Sequence, residues 1–588
     1  MRLAGPIQGA ARACRAAPRA SSGSDGAPGP AGGLSSAPMD GSGVREGIRA
    51  GGGTPTRLRA GAPPRRSALG PLLLAAVVGL VAGSAAPARA TYLPEERIPT
   101  DSPVYRDLER LSTTYRTAAR FLSSRPLRRA EALAYLDSLR RDEPGAERDP
   151  AYERAARELD PGAPGATPPF FARRGTDGER FEASPYVSLL YERDSRNRPD
   201  INRDYRVGVA VAGSLDSGRV FVANGYVGTA SQGVHGTPNF GTFNSLVQGV
   251  DFNDWFNEAY VEFPISKVRI LAGHTWLRWG PGRSGTLSLS DAAPAFDMLH
   301  AEATAFRNFR FQWFVAMLDP GPQSYLAGHR LEARLGPRLT VGLTEAARFG
   351  GTSQASLYMM PLVPYAFWEK RAKTGSVNAA DTSGLALHKN NVLEAVDVSW
   401  NVRRGARVWG EFLLDDISFS SDYKPDMIGY QMGIEVRRPL RPGRIIGFSA
   451  EFNRVNNYVY SHYTGQDYSF EGFPTGYIFG PDVSYSAGEV WYEHDSRWEV
   501  GVRSEYRLKG EGHLGDAWSK SLGKVDAGTL SGVVEREVRV SGWLTYTPAR
   551  WLRIEGRVGT SQIKNQDNVT STANASETPF SVRATAAW

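Results

Sequence analysis

The last nine residues, Phe580 to Trp588, constrain this 588-residue chain more than any other stretch. Phe580, Val582, Ala584, Ala586 and Trp588 alternate with Ser581, Arg583 and Thr585. Successive side chains of a strand point to opposite faces, so the pattern gives one apolar and one polar face. A soluble edge strand can carry that pattern as well. A lipid-facing barrel needs the same alternation with an aromatic at the interface, and a final strand that pairs back to the first. On that reading everything upstream is export signal, plug or barrel.

Charge narrows the partners. The formal net charge is +7, but residues 1–90 hold eleven arginines, no lysine and three acids, which puts +8 there and −1 on the rest. The basic character belongs to the leader, and nucleic acid drops out as a partner. The single cysteine, Cys14, also lies in the leader, so neither a disulfide framework nor a cysteine metal site is available beyond it. After residue 90 no apolar run approaches the ~18 residues of a membrane-spanning helix.

Taken in order, Arg65 and Arg66 precede an apolar run from Ala68 to Ala82 and then Ala88-Arg89-Ala90. A positive segment, a short apolar segment and an A-x-A site read as a cleavable signal peptide, with cleavage after Ala90. Residues 1–90 are thus a leader, with 1–60 read as an over-extended start. Residues 91–165 have helical periodicity. Ser102 with Pro103 begins one helix, carrying Val104, Leu108 and Leu111 on one face. Leu127 to Glu143 make a second, and a third starts at Asp149-Pro150. This segment is expected to be a small periplasmic bundle or plug. From 166 to 588 strand patterns follow one another, about eighteen in all, joined alternately by tight turns such as Arg441-Pro442-Gly443 and long segments such as 347–391 and 455–485. Short turns at one end and long loops at the other are the outer-membrane arrangement.

The second strand face selects the kind of barrel. Glu499 and Arg503, Glu535, Glu537 and Arg539, and Arg553, Glu555 and Arg557 would face inward, opposite Val500, Val502, Val538, Val540, Ile554 and Val558. A charged ladder is tolerable where charges pair or meet water, while the apolar face meets lipid. The fold class is therefore all-β: a transmembrane antiparallel outer-membrane barrel of about eighteen strands with a small N-terminal helical plug.

The stretch from Leu271 through Trp276-Leu-Arg278-Trp279-Gly-Pro-Gly-Arg283-Ser-Gly285 to Pro294-Ala-Phe-Asp297-Met-Leu299 resembles the capsule-assembly Wzi family. The resemblance continues at Gly328-His-Arg330-Leu-Glu332, Gly342-Leu-Thr-Glu345, Trp409-Gly-Glu411-Phe-Leu-Leu-Asp415-Asp416 and Glu451-Phe-Asn-Arg454, over roughly 100–588. No single motif is specific; their order on a barrel of this size is. The chain departs from the family at its long leader and at His388-Lys-Asn-Asn391. The family implies an eighteen-stranded outer-membrane barrel, plugged by helices and folded loops, that helps hold capsular polysaccharide at the cell surface. Trp276, Arg278, Trp279, Arg283, Asp297, Arg330, Glu332, Glu411 and Asp415 then join the ladder residues in a lumen and plug network. The strand ending in Trp588 also looks like the signal read by the barrel-insertion machinery.

Each motif has a rival reading. Gly280 to Gly285 suggests a phosphate loop, but it lacks the lysine and the following helix. Glu411, Asp415 and Asp416 could bind a cation or act as acid and base; a lumen salt-bridge ladder with arginines is the favoured alternative. Ser284 or Ser290 with His274 or His300 could make a hydrolase pair, without an orienting group or a G-x-S-x-G turn. Two loops suit an acidic polysaccharide, because aromatic faces stack on sugar rings and cations pair with uronic-acid carboxylates. One carries Tyr365, Phe367, Trp368, Lys370, Arg371 and Lys373; the other carries Tyr458, Tyr460, Tyr463, Tyr468, Phe470, Phe473 and Tyr477. Interface-belt aromatics are the alternative there. The expectation is a non-enzymatic, monomeric surface lectin without cofactor or metal, in contact with lipid and acidic polysaccharide. A solute channel is the rival, and a hydrolase a more distant one.

Overall fold

The computed structural model describes residues 93–588 except 118–120, 165, 167–168, 176–178, 194–200, 216–217, 231–255, 307, 320–323, 351–356, 366–389, 417–424, 463–465, 524, 550 and 588. The signal segment, Trp588 and the loop residues Phe367, Trp368, Lys370, Arg371, Lys373 and Tyr463 lie outside the described residues.

Among the described residues three α-helices come first: α1 (Val104–Tyr115), α2 (Arg129–Asp142) and α3 (Pro150–Leu159). The Ser102 hydroxyl accepts the Val104 N–H at 3.3 Å, and Asp149 accepts the Ala151 N–H at 2.9 Å with Pro150 at the first helical position of α3. Both caps satisfy helix-end donors. Val104, Leu108 and Leu111 of α1 pack with Leu136 and Leu139 of α2 and Ala155 and Leu159 of α3 in an apolar core contributed entirely by residues 98–159.

Eighteen strands then form one closed antiparallel barrel. In chain order they are β1 (Arg180–Arg193), β2 (Ile201–Ser214), β3 (Val220–Ala230), β4 (Phe256–Ile265), β5 (Val268–Thr275), β6 (Phe296–Phe306), β7 (Phe309–Asp319), β8 (Ser324–Leu335) and β9 (Leu339–Gly350). The second half comprises β10 (Asn391–Arg403), β11 (Ala406–Asp416), β12 (Met427–Arg441), β13 (Arg444–Val455), β14 (Val483–His494), β15 (Trp498–Lys509), β16 (Glu535–Ala549), β17 (Leu552–Lys564) and β18 (Phe580–Ala587). The last strand closes on the first, with Phe580 opposite Arg193 and Ala587 opposite Tyr186. Connections of two to five residues lie at one end, and connections of four to forty at the other.

The alternation read from the sequence is the wall seen in section. Val396, Val398 and Trp400 point outward while Asp397 is buried inward; Met432 and Ile434 point outward while Glu435 is buried inward; Val500 and Val502 point outward while Glu499 is buried inward. An apolar outer surface of this extent is stable in lipid, where every backbone group is satisfied by the closed ladder. Trp400 and Trp498 stand at the tight-turn end, where Trp498 stacks on Tyr546 at 3.8 Å, as an interfacial aromatic girdle requires. Among the described residues no helix is long and apolar enough to cross a membrane, which leaves the crossing to strands.

Candidate functional site

The lumen is filled in three tiers. The first tier, at the tight-turn end, is the helical bundle, which meets the wall through charge. Arg97 binds Glu262 of β4 at 2.6 Å and Glu302 of β6 at 3.0 Å. Arg110 of α1 binds Glu499 at 2.7 Å, and Arg154 of α3 bridges Asp107 (2.6 Å) and Glu493 (2.7 Å). From the wall, Arg437 reaches Asp149 at 2.7 Å, so the residue that caps α3 also anchors it, and Arg310 reaches Glu131 at 2.5 Å. The Thr113 hydroxyl donates to Glu435 at 2.6 Å. Burial pushes the Glu109 carboxyl of α1 up, but Arg407, Arg125, Arg283 and Arg278 outweigh it and hold that group at about 2.

The second tier is the connection from 276 to 295. It folds into the barrel and pairs Arg278 and Trp279 with Arg125 and Ser124 of the bundle segment. Gly280 donates to the Ser123 carbonyl at 2.8 Å, and Trp279 meets Phe314 edge-on at 5.3 Å. Gly280 (φ +123°) and Gly285 (φ +121°) make the turn, and a Cβ at Gly282 would lie 2.1 Å from the Gln431 side chain. Wall carboxylates hold this loop by its backbone. Glu411 accepts the Leu287 and Ser288 N–H groups at 3.0 and 2.8 Å; Glu451 accepts those of Arg283 and Ser284 at 2.7 and 2.9 Å, and the Trp409 indole N–H at 2.9 Å. Arg283 also meets Glu435 (2.9 Å) and Glu489 (3.1 Å). The glycine-rich turn does cradle an anion, and the anion is the protein's own carboxylate.

The third tier descends from the long-loop end. Tyr460 and Tyr468, stacked at 5.9 Å, donate their hydroxyls to the Leu287 and Ser288 carbonyls, each at 2.8 Å. Asp415 accepts the Tyr460 N–H at 2.6 Å, and Ser290 donates its N–H to the Thr475 carbonyl at 2.8 Å. Tyr460, Tyr468 and Tyr477 are fully buried, and Phe470 nearly so. Tyr365 is buried too: its N–H goes to Glu345 at 2.7 Å, and its ring sits 4.5 Å from His329 and 5.0 Å from Tyr358.

The burial of these four tyrosines corrects the expectation that they face sugar. A loop rich in aromatics can be an exposed platform or a folded-in core, and composition is blind to the difference. Tyr458 and Phe473 remain partly exposed and pack against the edge of the core.

The other expected residues separate as follows. Trp276 donates to the Ala293 carbonyl at 3.0 Å, Arg278 binds Asp291 at 3.2 Å, and Asp297 meets His274 at 2.8 Å. Arg330 joins Asp397 (2.5 Å) and Ser124 (2.9 Å), and the Ser124 hydroxyl turns to Glu332. Arg507 links Glu535 (2.8 Å) and Glu537 (3.1 Å), Arg539 binds Glu537 (3.0 Å), and Arg553 binds Glu555 (2.8 Å). Glu411, expected in a ladder with arginines, accepts the Leu287 and Ser288 N–H groups, and Asp415 accepts that of Tyr460. Of the Ser/His candidates, Ser284 accepts from Arg503 at 3.1 Å, Ser290 donates to the Gly476 carbonyl, and His274 meets Asp297. Sequence reasoning missed the bundle side of the network: Arg97, Arg110 and Arg154. The available signal was Arg106 and Arg110, four apart on one face of α1.

A closed, lipid-facing barrel whose lumen is occupied by its own helices and inward-folded loops defines a plugged outer-membrane β-barrel. The model of the family "Capsule assembly protein Wzi" matches residues 191–576, and the chain belongs to that family. No curated protein matches it. Among solved structures it is similar to Wzi of Escherichia coli, described as an outer-membrane protein involved in group 1 capsule assembly and a carbohydrate-binding β-barrel. The TM-score is 0.56 at 15% identity, over 83% of this chain and 98% of that one. Likeness to OprD of Pseudomonas aeruginosa has a TM-score of 0.38 at 9% identity, covering 71% and 97%, and likeness to OccK3 (OpdO) of that organism a TM-score of 0.37 at 11%, covering 69% and 95%.

Proposed function

We propose that this protein holds exported acidic polysaccharide at the long-loop rim of its barrel, as a monomeric lectin that catalyses no reaction. The observation that carries the reading is a lumen largely occupied by the protein's own helices and inward-folded loops. Inward carboxylates of the wall are spent on plug arginines and loop N–H groups rather than on a water-filled path, which weighs against solute diffusion as the main task. Long connections face outward in outer-membrane barrels, so the rim is where a polymer outside the cell meets the protein. Family membership supports the same role, and the solved Wzi is described as carbohydrate-binding.

The contacts would come from Phe367, Trp368, Lys370, Arg371 and Lys373, with Tyr458, Tyr463 and Phe473 in support. Aromatic faces stack on the apolar side of a pyranose ring, and cations answer its carboxylates. Insertion would proceed through the strand ending in Trp588. The test replaces Trp368, Lys370 and Arg371 together with alanine and measures surface polysaccharide on cells whose barrel still folds. Retention equal to wild type, with the supporting aromatics removed as well, would end the reading.

A further inference from the structure

The plug does not reach every wall. Between α1 and the β16–β18 wall lie two adjoining cavities, of 550 and 230 Å³, that share Arg106, Glu555 and Arg583 as lining residues. The larger begins at the tight-turn end, where Arg553 and Thr585 face each other across β17 and β18. The smaller continues past Trp543 and Arg557 to Glu192 near the far end of β1. Together they form a cleft along one side of the lumen.

Its charge is unlike the rest of the interior. Glu109 is engaged by Arg125 and Arg407, Asp291 by Arg278, and Glu489 by Arg283 and Arg503. On the wall side, Arg557 and Arg583 stand inward by strand alternation and are exposed to the cleft. Neither has a hydrogen-bond or ion-pair partner among the described residues. Arg106 is only loosely held, 3.6 Å from Glu499. Glu555 is taken up by Arg553, and Asp101 and Glu192 also line the space. Arg557, Arg583 and the loosely held Arg106 outnumber those two carboxylates, so the charge left facing the cleft is positive on balance. Each guanidinium offers a planar fork of donors that fits a carboxylate or phosphate, and Ser581 and Thr585 add hydroxyls beside it. The volume falls in the range of a small-molecule site.

We propose that this cleft binds an anionic saccharide unit, a sugar bearing a carboxylate or a phosphate, with its oxyanion on Arg557 and Arg583. The site is separate in place and residues from the rim, so it stands or falls independently of the rim reading. A carboxylate would come from a uronate of an exported polymer, a phosphate from a phosphorylated sugar such as a lipid headgroup carries.

Calorimetry on the mature protein in detergent micelles, titrated with glucuronate, glucose 6-phosphate, glucose and inorganic phosphate, tests it. One or both sugar acids should bind at least about tenfold tighter than glucose, the scale of one charge-assisted hydrogen bond. Which of the two binds assigns the source. The double variant R557Q/R583Q, its folding confirmed by heat-modifiable gel mobility, should lose that preference, whereas alanines at Trp368, Lys370 and Arg371 should leave it intact. Should the double variant not fold, the wild-type protein suffices: bound sugar acid should protect Arg557 and Arg583 from phenylglyoxal, read by mass spectrometry. Unchanged binding in the variant, no protection, or inorganic phosphate binding as tightly as either sugar acid overturns the proposal.

Discussion

At the scale of single residues, the wall and plug meet through a recurring stack of glycine, tryptophan and arginine. Gly447 faces Trp491 across β13 and β14, and Gly501 faces Trp543 across β15 and β16. A Cβ at Gly447 would lie 2.1 Å from the Trp491 ring, so the ring can lie flat only over a glycine. Arg110 then sits 4.7 Å above the Trp491 ring and Arg106 5.6 Å above that of Trp543, the two plug arginines one helical turn apart. Gly447→Ala should therefore lower the thermal midpoint by circular dichroism, at a cost of about 1–3 kcal/mol from overpacking, and loosen α1 in hydrogen exchange. Arg437→Met should cost more, about 3–5 kcal/mol, because Asp149 is left buried without its cation and Glu493 keeps only the arginines of the plug. Glu109 supplies a pH signature. Its folded value of about 2 lies below the ordinary 4.5, so its contribution is present above 4.5 and is lost as pH falls towards 2. Glu109→Gln should be less stable than wild type at pH 6, and the gap should narrow steadily in melts at pH 4 and 3.

At the scale of elements, the bundle is a helical plug with its own apolar core, seated against the wall by ions. Its apolar core is contributed by residues 98–159 alone, while the inner loop, the 455–482 connection and the wall share a different core around Trp279, Leu287 and Tyr460. The strands and helices were legible because one period decides each: outward Val500 and Val502 and inward Glu499 and Glu505 follow from alternation alone. What faces a strand across the lumen does not follow from its own pattern. Glu499 was expected in a ladder along the wall and instead meets Arg110, 389 residues earlier in the chain. The same gap hid the duty of Glu411 and Glu451, whose partners on the inner loop are backbone N–H groups with no side-chain signal. Those two carboxylates give the inner loop its hold. Glu411→Ala with Glu451→Ala strands four backbone donors and the Trp409 indole, each at about 1–3 kcal/mol if left unsatisfied. In planar bilayers the wild-type protein should show no steady porin-scale conductance, and the double variant should flicker open. A quiet double variant would place the seal in the bundle alone.

For the whole molecule, a largely occupied lumen turns a barrel from a conduit into a post, and on the function proposed above what matters is how firmly such a post can hold a polymer. One stacked aromatic contributes about 1 kcal/mol beyond its buried area, and one exposed ion pair about 0–1. A single substitution such as Trp368→Ala should then weaken binding of an acidic oligosaccharide by roughly tenfold or less. Holding a chain against shear needs several sugar units engaged by several loops at once, where linked contacts raise avidity without raising any one affinity. The loss on mutation should accordingly be graded and depend on polymer length. Single variants should barely change retention of long surface polysaccharide, yet measurably weaken a tetrasaccharide in a binding titration. The triple variant at Trp368, Lys370 and Arg371 should release long polymer into the medium, and removing Tyr458, Tyr463 and Phe473 as well should complete the release. Tyr460, Tyr468 and Tyr477 are the internal control. Being fully buried, they should change folding and conductance when replaced, and affect retention only as far as the barrel is lost. Retention that tracks those three buried rings while ignoring the six rim residues would move the binding surface off these two loops.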